Sequence, residues 1–135
     1  MKILLVSHGK FAEGLCNTMH RFFGADNIFC AAVTEKDGSA KLRETVENYL
    51  AQWEGEQVII CSDMMGGSAN QTVYPFLSRP NTFLVAGMNL PLVMQLHLED
   101  GDITADALRE MIKDAKTEIV LVNDMDFTQK GEDDE

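Results

Sequence analysis

Short runs of consecutive apolar residues alternate along the chain with stretches in which apolar residues return every three or four positions. The first run, 2–6, is apolar throughout after Lys2, the pattern of a strand buried on both faces. Runs of the same character at 28–33, 58–62 and 82–86 predict three more strands, and 118–122 predicts a fifth. Between the first two, Phe11, Leu15, Met19 and Phe22 recur at helical spacing over 10–23, closed by Gly24. Leu42, Val46, Leu50 and Trp53 form one stripe of a helix over 39–53, with Ser39 as candidate N-cap and Gly55 as terminator. A short helix over 70–77 is expected to be distorted by Pro75. The spacing predicts two more helices, over 92–98 behind Pro91 and over 105–115 behind an N-cap Thr104.

Strands alternating with helices in this way predict an α/β fold, a mainly parallel sheet with helices on both faces. Right-handed crossovers leave few topologies, of which a flavodoxin-like strand order leads. Residues 1–122 read as a single domain of that kind, and 123–135, which end Gly131-Glu132-Asp133-Asp134-Glu135, as an acidic, solvated and mobile tail.

Composition narrows the function classes. The 135 residues include 22 Asp+Glu against 11 Lys+Arg, a net charge of −11, and such a surface repels nucleic acid. Phosphate chemistry would have to rely on backbone dipoles and local geometry. With 45% hydrophobic residues the bulk of the chain is not disordered. Cys16, Cys30 and Cys61 form no Cys-x-x-Cys pair and read as buried, reduced thiols. No apolar run approaches the roughly 20 residues that cross a bilayer, and the run at 2–6 is too short for a signal peptide. A soluble, cytoplasmic protein is expected.

In an open α/β sheet, ligands bind beyond the carboxyl ends of the strands where the strand order reverses. The segments there read Ser7-His8-Gly9, Asp63-Met64-Met65-Gly66-Gly67-Ser68-Ala69-Asn70 and Gly87-Met88-Asn89-Leu90-Pro91. His8 precedes a helix whose free N–H groups and dipole suit an anion, and Gly9 lets the backbone come close to it. A histidine in a turn is by itself more often structural or merely exposed than reactive; the position of His8 at the switch edge brings the two readings level. Asp63, ending the neighbouring third strand, can orient the ring and leave the other nitrogen nucleophilic. Gly66, Gly67 and Ser68 then open a second helix with backbone donors and a hydroxyl for phosphate. Met64, Met65 and Met88 read either as core filler or as an adaptable rim for docking partners, the rim being favoured for Met64 and Met65. His20 lies four residues after Cys16, but the further ligands of a metal site are not evident. His97, near a helix C-terminus, is placed well against the dipole.

With these three segments in place, the chain resembles the IIA component of the mannose family of the bacterial phosphoenolpyruvate-dependent sugar phosphotransferase system. The resemblance implies a phosphocarrier: His8 takes a phosphoryl group from the phosphocarrier protein HPr and passes it to a IIB component, Asp63 pairing with the histidine. It also implies no metal or organic cofactor, and a homodimer in which a C-terminal antiparallel strand, here 118–122, is exchanged between subunits. Ala69 stands where the family has proline, and Met64-Met65 where a bulky or aromatic pair is more common. No linker or second domain is present, so the IIB component is expected as a separate polypeptide.

Three other readings compete with this one. A receiver domain with Asp63 as phosphoacceptor needs an acidic pair where Ser7-His8 stands. A hydrolase needs a Gly-x-Ser-x-Gly elbow, which Gly66-Gly67-Ser68-Ala69-Asn70 is not. A regulatory phosphoprotein, in which the state of His8 controls a binding partner, stays open beside sugar transport.

Overall fold

In a computed structural model of the chain, residues 1–126 are described. Four parallel strands, β1 (Lys2–His8), β2 (Ile28–Val33), β3 (Val58–Ser62) and β4 (Thr82–Ala86), make one sheet in the order β2-β1-β3-β4. The helices are α1 (Phe11–Phe23), α2 (Gly38–Gln52), α3 (Ser68–Val73), α4 (Leu90–Leu98) and α5 (Ala105–Lys116). This is the predicted flavodoxin-like arrangement, with the reversal of strand order falling between β1 and β3.

The continuous apolar runs are explained by burial on two sides. Ile3, Leu4, Leu5 and Val6 are all fully buried, yet alternate between two separate cores. Ile3 and Leu5 pack with Cys16 and Met19 of α1, Val93 and Leu96 of α4, and Leu108 and Met111 of α5. Leu4 and Val6 pack on the opposite face with Leu42, Val46 and Leu50 of α2 and with Ala69 and Val73 of α3. Each such Leu or Ile withdrawn from water contributes about 1.5–3 kcal/mol. The outcome is a rigid three-layer platform with loops only at its rims.

β2, β3 and β4 coincide with the predicted strands. Elsewhere the boundaries move. Gly24 closes α1 in the left-handed region at φ 64°, as expected, and Thr104 caps α5 by accepting from the Ala107 N–H. Ser39 does not cap α2: Asp37 holds that position, and neither it nor any other side chain caps the helix. The helix around Pro75 starts earlier than predicted and changes character, α3 giving way to a 3-10 turn over Tyr74–Ser78. The predicted strand at 118–122 is not one in this chain. Beyond α5 the backbone makes a turn and an irregular stretch with Ile119, Val120 and Leu121 exposed, then a 3-10 turn over Val122–Asp124. An apolar run becomes a strand only beside a partner edge, and none reaches this one. Most of the predicted acidic tail lies outside the described residues. Among the described residues no helix is long and apolar enough to cross a membrane.

Candidate functional site: a histidine–aspartate pair at the sheet edge

β1 runs two residues further than its apolar run because β2 keeps pairing with it, Ser7 opposite Ala32 and His8 opposite Val33. Sheet geometry therefore carries His8 to the carboxyl edge on the end of a strand. Gly9 then turns the chain with φ +55°, and its N–H donates to the Val33 carbonyl at 2.9 Å. That engagement corrects one expectation: the Gly9 amide is spent on the sheet and is not a free donor for phosphate. Ser7, fully buried, holds the turn from beneath. Its hydroxyl donates to the His8 carbonyl at 3.1 Å and accepts from the Ala12 N–H of α1 at 2.8 Å. The sequence reading passed over this role, although a serine just ahead of a helix was the available signal.

Asp63 follows the last residue of β3, the strand next to β1. Its Oδ2 accepts from the backbone N–H of His8 at 2.9 Å and stands 2.7 Å from His8 Nδ1. Its Oδ1 accepts from the Met64 N–H at 2.9 Å. Burial alone would raise the Asp63 carboxyl; the His8 backbone N–H, the His8 ring and the Met64 N–H outweigh it and hold the group below the usual carboxylate value. An ionised carboxylate only accepts, so the proton of a neutral His8 ring belongs on Nδ1 and the lone pair on Nε2. The imidazole is 46% exposed and the carboxylate 14%: the ring is open to a visitor while its anchor is sheltered.

The loop from β3 to α3 closes one side of the ring. Gly66 has φ +78°, and its carbonyl accepts from Gln71 Nε2 at 2.6 Å. Gly67 occupies the N-cap of α3 in an extended conformation, so Ser68 is the first helical residue and its side chain is exposed. A Cβ on Gly67 would lie 3.2 Å from His8 Cε1 and 2.9 Å from Met64 Cγ, which explains why glycine stands there. A buried pair missed from sequence fixes the loop's base: Ser62 Oγ donates to Asn70 Oδ1 at 2.8 Å. The helices α1 and α3 both begin at this edge, so two positive dipole ends flank the ring.

The proposed rim divides. Met64 and Met65 are exposed, but Met88 is only 5% exposed and belongs to the core under α4 and α5, its N–H donating to the Ser62 carbonyl at 3.0 Å. A docking role for Met88 is withdrawn. Phe11, read from its spacing as part of the buried stripe of α1, is 54% exposed instead, in the helical turn next to His8. Asn89 caps α4 through the Leu92 N–H and ties it to α5 through the Ala115 carbonyl at 3.0 Å. Among the described residues no three His, Cys, Asp or Glu side chains converge as a metal site would require.

The class of protein that the geometry defines is an open parallel α/β sheet carrying an exposed imidazole, anchored by a carboxylate, at its switch edge. Residues 2–113 match the family described as PTS system fructose IIA component, where PTS is the phosphotransferase system, and the chain belongs to that family. It is 20% identical over 120 residues to the PTS system sorbose-specific EIIA component of Klebsiella pneumoniae, covering 88% of this chain and 89% of that one. A crystal structure of a proposed phosphoenolpyruvate-dependent sugar PTS permease from Klebsiella pneumoniae superposes with a TM-score of 0.77 at 31% identity, covering 91% of each chain. The PTS IIA protein associated with the fucose utilization operon of Streptococcus pneumoniae superposes with a TM-score of 0.78 at 25% identity, over 90% of this chain and 93% of that one. The chain is thus a phosphotransferase-system IIA component of the mannose and sorbose kind.

Proposed function

We propose that this IIA component accepts a phosphoryl group on Nε2 of His8 from phospho-HPr and passes it to a separate IIB component for sugar uptake. The observation that carries the reading is the 2.7 Å contact between His8 Nδ1 and Asp63 Oδ2. It fixes the tautomer, so the Nε2 lone pair is ready to attack phosphorus as the phosphorus–nitrogen bond to the donor histidine breaks. Phosphorylation leaves the ring cationic, and the carboxylate, already ionised, stabilises that charge without moving. The phosphate oxygens then meet the N–H groups of Ser68 and Ala69 in the first turn of α3, which have no acceptor within the helix, and the Ser68 hydroxyl. Gly66 and Gly67 shape this cradle, and Gly9 shapes the turn rather than binding. Met64, Met65 and Phe11 form the rim against which HPr and the IIB component dock.

Transfer between cytoplasmic partners places the protein in the cytoplasm, working without metal or organic cofactor. The exposed apolar residues 119–122 and the outer edge of β4, unpaired within this sheet, support a homodimer in which each chain lends that segment to the other's sheet.

Incubation with enzyme I, HPr and phosphoenolpyruvate tests the central step. An acid-labile, base-stable phosphate is expected at His8, and His8→Ala abolishes it. Label that survives the substitution refutes the assignment.

A further inference from the structure

A cleft of about 520 Å³ opens beside α1, lined by Lys10, Glu13, Asn17, His20 and two of the three thiols, Cys16 and Cys30. The reading of all three cysteines as buried fails at Cys30, which is partly exposed to this cleft. Cys30 lies on β2 and faces the core on the α1 side, as Cys16 does from the helix. The Cys16 sulfur is held at the same place on the strand: Sγ donates to the Ile28 carbonyl at 3.3 Å, two residues before Cys30. His20 Nε2 donates to that carbonyl at 2.7 Å and stands 3.5 Å from the Cys16 sulfur, so the side chains of α1 converge over one point of β2.

The two thiols share this cleft and the core between α1 and β2. The neighbouring Cys16 thiol brings Cys30 below the ordinary thiol value, against the opposing effects of burial and the nearby Glu13. The same interaction, with burial added, raises Cys16. Cys61 provides the contrast: fully buried, it is pushed up to about 12 by burial alone. One accessible thiol disposed to ionise, with a second thiol lining the same cleft, is the arrangement of an attacking and a resolving cysteine.

We propose that Cys30 and Cys16 form a reversible intramolecular disulfide under hydroperoxides, pinning α1 to β2. The Cys30 thiolate attacks the terminal oxygen of the hydroperoxide, the O–O bond breaks, and the departing alkoxide or hydroxide takes a proton from solvent. Cys30 is then a sulfenic acid. The Cys16 sulfur attacks the Cys30 sulfur, the S–O bond breaks, and the hydroxyl leaves as water with the Cys16 proton. The thiols together lose two electrons, which the peroxide accepts; a dithiol reductant reverses the change. The site acts independently of His8 phosphorylation.

Peptide mapping tests this on the full chain. Trypsin cuts after Lys10, Arg21 and Lys36, so Cys16 and Cys30 fall in different peptides, 11–21 and 22–36. After stoichiometric hydrogen peroxide and alkylation, these two peptides are expected joined, separating on reduction, with the peptide containing Cys61 unlinked. In Cys16→Ser, Cys30 is expected to be trapped by dimedone as its sulfenic acid instead. Full alkylation of Cys30 after peroxide overturns the proposal, as does over-oxidised Cys30 with Cys16 free, or a link between chains on a non-reducing gel. The wild-type map decides the matter even if the serine variant does not fold.

Discussion

Gly67→Ala separates the demands of folding from those of chemistry at a single atom. Gly67 has φ −70° and ψ 167°, a conformation alanine adopts without strain, so the backbone has no reason to move. The new Cβ meets two neighbours. Met64 Cγ at 2.9 Å belongs to an exposed, flexible side chain that swings aside at little cost. His8 Cε1 at 3.2 Å cannot, because the ring is anchored through Nδ1 to Asp63 at 2.7 Å; it must tilt by a few tenths of an ångström. A misplacement of about 1 Å costs around 100-fold in rate, so a shift of this size should slow phosphoryl transfer by roughly 3–10-fold. Stability should change by less than about 1 kcal/mol, since the reduced freedom of the unfolded chain is offset by alanine's poorer fit at an N-cap. The assays are the rate of phosphohistidine formation from phospho-HPr and thermal unfolding followed by circular dichroism. A rate equal to wild type would refute the close approach of Gly67 to the ring. A large fall in melting temperature would refute the backbone geometry assigned to the loop.

Three further outcomes follow from the structure. Asp63→Asn should slow transfer roughly 10–100-fold, the range for losing a partner that orients a histidine, and unchanged kinetics would remove Asp63 from the mechanism. Because the folded Asp63 carboxyl lies below its ordinary value, its stabilising contribution is complete above the unfolded value of about 3.9 and fades as pH falls through the lower folded value. The stability gap between wild type and Asp63→Asn in denaturant titrations should therefore narrow below about pH 4; a constant gap would contradict the shift. If the proposed strand exchange holds, wild type sediments as a dimer and Val120→Asp, which places a charge in the exposed apolar segment, as a monomer; a wild-type monomer at micromolar concentration would refute strand exchange.

How legible each part was depended on where its determinants lie. β2, β3 and β4 could be read to the residue because each is a nearly continuous apolar run, broken only at an end by Ser62 or Thr82. The last two residues of β1 could not, since polar Ser7 and His8 are strands only by virtue of pairing with Ala32 and Val33. The 118–122 run has strand composition, but the edge that would make it a strand is not local to it. At the site, His8 and Asp63 were brought together by topology alone, because strands one and three are neighbours in this strand order. The Ser7 cap, the engaged Gly9 amide, the burial of Met88 and the meeting of Cys16 with Cys30 depend on which way individual side chains and amides point. A linear pattern does not record that.

The margins of the sheet are treated differently. The Asn27 carbonyl accepts from Ile3, so alternation turns the Ile28 carbonyl outward, where Cys16 and His20 stopper it. Among the described residues no side chain plugs the outer edge of β4 in the same way. Growth by strand addition is thereby steered to one side of the molecule. In the proposed strand exchange this border and the apolar segment 119–122 would be consumed reciprocally, and assembly would close at two copies rather than run on as a fibre.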